Sequence, residues 1–134
     1  MVSDHIGDFI IRLQNAARIG KRDVSVPHSA HLFAIAKKLK ELGFIVDVEI
    51  KSKEDDSAKK TMVATLAYDE KGQPRLRGVK RVSKPGRRLY APHAAVHRVK
   101  GGTGARILSS SSGIVSDAEA RKNKVGGEEL FEIW

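Results

Sequence analysis

Cysteine is absent from this chain of 134 residues, which removes disulfides and thiolate-held zinc and fits a reducing compartment. Aromatic residues make up only 5%, so a core has to be built from Val, Ile, Leu and Ala. No apolar run approaches the ~20 residues of a membrane span. The opening Met-Val-Ser-Asp-His-Ile-Gly-Asp carries acids where a signal peptide carries bases. The expectation is a soluble, cytoplasmic protein with no membrane contact. A further absence is local. From Lys71 to Ser116 there is no Asp or Glu, while eleven Lys and Arg occur.

That gap organises the charge. Residues 1–70 carry 11 bases and 11 acids, and residues 117–134 carry 3 bases and 5 acids, so the whole net charge of +9 originates in the stretch between them. A charge confined to one block is an electrostatic footprint for a polyanion, whereas a merely solvated surface mixes both signs. The length suits one compact unit or two small subdomains, burying roughly two thirds of the unfolded chain's surface.

Along the chain, Ser3 or Asp4 serves as a helix N-cap, followed by Ile6, Phe9, Ile10, Leu13, Ala16 and Ala17 on one helical stripe. Val24–Val26 reads as a short strand, with Pro27 placed to open the next helix. That helix, over 28–42, buries Leu32, Phe33, Ile35, Ala36, Leu39 and Leu42, and Gly43 closes it. Phe44 to Ile50 alternates, predicting Phe44, Val46, Val48 and Ile50 inside. Residues 51–60 predict an exposed loop, and 61–68 the returning strand. The turn residues of 69–74 mark a boundary, giving domains 1–70 and 71–134. Beyond it, strands are expected at 75–82, 87–90, 105–109 and 129–134, one helical turn within 91–99, and a short helix at 117–123. Ser116 and Glu119 have the spacing of a capping box. The fold class is therefore α+β, with an N-terminal α-β-α-β-β subdomain and a C-terminal, mostly antiparallel β subdomain carrying a short helix.

The distinctive stretch is Ile107-Leu-Ser-Ser-Ser-Ser-Gly-Ile-Val115, a tight hairpin of small hydroxyls gripped by apolar residues. Such a turn lets another backbone come very close. A-form RNA exposes a shallow minor groove lined by 2′-hydroxyls and base edges, and serine hydroxyls both donate and accept. Lys80, Arg81, Lys84, Arg87, Arg88, Arg98 and Lys100 would position the protein through phosphates. Signals for an enzyme are poor. Gly101-Gly-Thr-Gly104 lacks the Gly-Lys-Ser/Thr of a phosphate loop, and the serine run lacks Gly-x-Ser-x-Gly. His93 and His97 sit at ligand spacing but have no Cys, Asp or Glu nearby, so no metal, cofactor or catalytic residue is assigned.

Several segments together carry a resemblance. "RVSKPGRRLY", "ILSSSSGIVSDAEARKNKVGGE", "DHIGDFIIRLQNA" and "VPHSAHLFAIAKKLKELGFI" are similar, in order, to the motifs of the bacterial small-subunit ribosomal protein S8 (uS8) family, from Asp4 to Trp134. The resemblance implies a structural constituent of the small ribosomal subunit that binds an irregular helix in the central domain of 16S rRNA early in assembly. Its partners would be that rRNA, neighbouring small-subunit proteins and, as in some members, an operon messenger that mimics the ribosomal site. The family's turn falls on Ser109, Ser110 and Ser111, closed by Gly113. Tyr90 falls on a tyrosine expected to pack on RNA, and Glu128 on the glutamate of Gly-Gly-Glu. Tyr90 as a core aromatic, and Glu128 as the mere partner of an Arg, are the plainer readings. Ser3, Asp4, Arg12 and Ser29 fall on or beside positions that approach the RNA backbone. Ser110 replaces a common threonine, losing one methyl contact, while Ser112 replaces a common base and Ala30 a common lysine, each of which would remove a phosphate contact; none touches the turn's shape. A nucleoid or regulatory protein using the same cationic face is the alternative, expected to bind many duplexes alike.

Overall fold

The computed structural model describes residues 4–53, 56–96 and 98–134. Ser3 and His97 lie outside the described residues. Contacts divide the chain into two units: Phe9–Leu76, and Arg77–Trp134 together with the segment ending at Asp8. The division falls later than the point where acids vanish. Pro74 bridges Tyr68, the Arg75 N–H donates to the Ala67 carbonyl and Leu76 is buried, so residues 71–76 pack with the earlier unit despite their charge. A change of composition marks electrostatics, not packing.

From Phe9 onward α1 (His5–Ile19) belongs to the first unit, where it is followed by β1 (Asp23–Pro27), α2 (Ala30–Glu41), β2 (Ile45–Lys53) and β3 (Asp56–Leu66), with the antiparallel sheet in the order β1-β3-β2. The predicted stripe of α1 is buried from Ile6 to Ala17, and Asp4 is the cap, accepting the Gly7 N–H at 3.1 Å. Pro27 does not open α2. It ends β1, an edge strand where a missing N–H is tolerated, and Ser29 caps α2 instead by accepting the Leu32 N–H at 3.1 Å. Within α2, Leu32, Ile35, Ala36 and Leu39 are buried, while Phe33 lies at the margin under the Lys37 ammonium. The alternation read over β2 holds at Phe44, which is buried, and breaks at Val46: the register shifts between Ile45 and Asp47, so that Ile45 is buried and Val46 exposed. Val48 and Ile50 return to the face of buried Ala64 and Met62, Val48 half-buried and Ile50 exposed. The loop expected at 51–60 is also corrected: both strands run on through it, pairing as far as Lys53 and Asp56. Polar residues form a ladder there because backbone groups, not side chains, make it.

The second unit contains β4 (Val79–Arg81), β5 (Tyr90–Ala91), β6 (Ala105–Ser110), β7 (Gly113–Ser116), α3 (Asp117–Asn123) and β8 (Gly127–Ile133). Its sheet runs β4-β8-β6-β7, with β5 also on β8. β4 and β5 are shorter than the predicted strands, and Lys84 and Arg87 close a tight turn between them. The helical turn expected within 91–99 is a 3-10 turn at His93–Ala95, and a second occupies Lys100–Gly102. α3 begins with the capping box: Ser116 Oγ accepts the Glu119 N–H at 3.3 Å, and the Glu119 carboxylate accepts the Ser116 N–H at 3.2 Å. Buried Asp117 ties this helix to the sheet by accepting the Arg106 N–H at 3.0 Å, and within the helix it pairs with Arg121 at 2.9 Å. Ala91, Val96, Leu108, Val115 and Ala120 form one buried cluster beneath it.

Candidate nucleic-acid interface

The site grows from β8. Glu128 is opposite Tyr90 on β5 and opposite Ser109 on β6, and Ser109 is opposite Ile114 on β7. Directly opposed residues of antiparallel strands project to the same face. Tyr90, Glu128 and Ser109 therefore form one row drawn from three distant parts of the chain. Tyr90 is 71% exposed, so the reading of it as a core aromatic is excluded. Its ring offers a stacking surface at one end of the row.

The serine hairpin closes the other end. Ser110 pairs with Gly113, leaving Ser111 and Ser112 as a two-residue loop. Both loop serines keep negative φ, and the positive value falls on Gly113 at 106°, a backbone that side chains rarely adopt. The serines divide their work. Ser110 Oγ donates to the Gly113 carbonyl at 2.9 Å and accepts the Ser112 N–H at 3.1 Å, so this hydroxyl is spent on the turn itself. Ser109 and Ser111 have no side-chain hydrogen bond among the described residues. Their hydroxyls are available to a partner.

Cations surround this row unevenly. Lys84 and Arg87 bracket the Pro85-Gly86 turn, with reciprocal backbone hydrogen bonds of 2.9 Å, and both side chains are exposed without an acidic partner among the described residues. Arg88 donates to Glu128 Oε2 at 3.1 Å, with its guanidinium about half exposed. Two bases of the acid-free block are not surface charge at all. Arg81 grips Asp4 through two contacts of 3.1 Å and donates to the Leu130 carbonyl at 2.5 Å. Arg106 is held by Glu129 and Glu132. Burial alone would lower its pKa, but those two carboxylates raise it above the usual arginine value.

Asp4, placed by resemblance near the RNA backbone, here has its carboxylate occupied by Arg81 and the Gly7 amide. Burial pushes its pKa up, but hydrogen bonds from Arg81 and Gly7 and the charges of Arg81 and Arg88 outweigh it and leave the pKa below 3.8. A depressed folded-state pKa stabilises above the ordinary carboxylate range, and that stability is lost as pH falls through the folded value. Asp4→Asn, which keeps a capping oxygen but no charge, is expected to cost ~1–2 kcal/mol at neutral pH. It should also flatten the acid limb of stability, as measured by urea unfolding at neutral and acid pH. Arg12 and Ser29 belong to the other unit. Arg12 is exposed beside a groove lined by Asn15, Ile19 and Lys21, and Ser29 is the α2 cap.

The second unit of this α+β chain thus presents a row of ring, carboxylate and hydroxyls beside exposed cations that have no acidic partner among the described residues. No group of three or more potential metal-ligating residues occurs among the described residues. No helix among them is long and apolar enough to cross a membrane. Comparison with known proteins gives the family. Residues 4–134 match the family model described as Ribosomal protein S8. Curated relatives named Small ribosomal subunit protein uS8 are 42% identical in Sorangium cellulosum, with both chains covered completely, and 41% identical in Opitutus terrae, with 99% of this chain and all of the relative covered. The relative of that name in Cutibacterium acnes is 38% identical over 99% of this chain and 98% of its own. The chain belongs to the ribosomal protein S8 family, whose members are structural and not enzymatic.

Proposed function

We propose that this protein is a structural component of the small ribosomal subunit and that it binds an irregular helix in the central domain of 16S rRNA, directing assembly there beside neighbouring ribosomal proteins. The observation that carries this reading is the row Tyr90–Glu128–Ser109, set in register by β8 and continued by the free hydroxyl of Ser111. Ring, acceptor and hydroxyl together suit unpaired bases and 2′-hydroxyls. A regular duplex would engage the cations and leave this row idle. Lys84 and Arg87 supply the phosphate contacts that fix register. Arg12 and Ser29 are proposed to add contacts from the first unit. An operon messenger folded like the ribosomal site would engage the same row, giving translational repression.

The test is direct binding of the purified protein to that irregular rRNA helix, with a fully paired duplex of equal length as control, at two salt concentrations. Preference for the irregular helix that survives at the higher salt supports the reading. Equal, salt-labile binding to both would leave only a cationic surface, as in a nucleoid or regulatory protein. In the same assay Lys84→Ala or Arg87→Ala should weaken both RNAs alike and reduce the salt slope by about one unit.

A further inference from the structure

Ser83 is completely buried, yet its hydroxyl is fully engaged at the edge of the interface. Its Oγ donates to Glu128 Oε2 at 2.5 Å and accepts the Leu89 N–H at 3.3 Å. Arg88 Nη1 donates to the same Glu128 oxygen at 3.1 Å. Both donors converge on Oε2, and Oε1 has no partner among the described residues. The carboxylate sits between the exposed ring of Tyr90 and the unpartnered hydroxyl of Ser109. Arg88 alone, with its guanidinium about half exposed, would leave the carboxylate free to turn about that single contact. The second donor, from the buried serine, fixes which oxygen points inward.

We infer that Ser83 is a positioning residue for RNA selection: it locks one oxygen of Glu128 inward, so that the other stands on the cationic face as an acceptor with no proton to give. Such an acceptor repels phosphate and takes an N–H donor, as the exocyclic amino group of an unpaired base supplies. Arg88, held by the same oxygen, keeps its guanidinium beside the row. The discrimination between an irregular helix and a paired duplex is thus set in part by a side chain that never touches RNA. This rests on the binding proposed above.

The experiment is a double-mutant cycle of Ser83→Ala and Glu128→Gln in the full chain, read on the irregular central-domain helix and on the paired duplex, with thermal unfolding followed in parallel. Ser83→Ala is expected to weaken the irregular helix by about tenfold, the loss of one charge-assisted hydrogen bond's worth of orientation. It should leave duplex affinity and the salt slope unchanged, and add nothing once Glu128→Gln is present. Ser83→Thr, which retains the hydroxyl, should retain selectivity. Equal losses on both RNAs, or losses that add to those of Glu128→Gln, would mean that Ser83 merely supports the fold, and would overturn the assignment. If the unaltered protein shows no preference for the irregular helix, the proposed function itself fails. If it shows that preference and Ser83→Ala keeps it, the positioning role alone is lost.

Discussion

Gly127→Ala is expected to destabilise the second unit by roughly 3 kcal/mol or more. β8 enters the sheet at Gly127, and a Cβ there would press against the Ser109 carbonyl oxygen and lie 2.9 Å from its carbon and 3.1 Å from the Ser110 Cα. These are backbone atoms of β6, so no rotamer change can yield. Either β8 withdraws from β6 or the hairpin of Ser109–Gly113 moves, and in both cases the row through Glu128 is broken. Denaturant unfolding should show a lower midpoint, and RNA selectivity should fall with it. Gly86→Ala is the matched control, because nothing lies within 4 Å of the position its Cβ would take. Similar midpoints for the two variants would show that the close approach of β8 and β6 is not required.

Ser109→Ala combined with Ser111→Ala is expected to do the reverse: leave folding intact and remove RNA affinity. Neither hydroxyl has a hydrogen-bond partner among the described residues, so the folded chain loses nothing it was using. In the proposed complex their loss should cost about 1–3 kcal/mol, roughly fivefold to 150-fold in affinity. Ser110→Ala separates the roles. It removes the bonds to the Gly113 carbonyl and the Ser112 amide, so it should lower both thermal stability and RNA binding. Melting curves and titrations on the irregular helix and the paired duplex check all three. An equal loss on the two RNAs for the Ser109 and Ser111 pair would remove the hydroxyls from recognition.

Much of this was legible in the residues, and the exceptions have physical reasons. The stripes of α1 and α2 follow from helical spacing alone, since a helix buries whichever face is apolar. The capping box and the serine turn are equally local, because each is set by residues within a few positions. The exposure of Val46 is not legible in β2's own alternation, because the bulge there is decided by pairing with β3. The block of eleven bases concealed Arg81 and Arg106, whose acids arrive from Asp4, Glu129 and Glu132 in other segments. Ser83 left no signal beyond being a serine before Lys-Pro-Gly, for its burial depends on β8. Among the serines, composition gave four equivalent hydroxyls. The turn geometry distinguishes Ser110 from Ser109 and Ser111.

The pairing of Asp4 with Arg81 spans 77 positions, and that separation has a consequence for synthesis. At about 5–20 residues per second, ~4–15 s pass between making one partner and the other. Phe9–Leu76 is contiguous and can close during that wait. β8 is translated after each of the strands it joins, so no shorter nascent chain holds Tyr90, Glu128 and Ser109 side by side. On the ribosome that makes it, the row proposed to meet RNA is therefore assembled late, as the strand at the centre of the sheet leaves the exit tunnel.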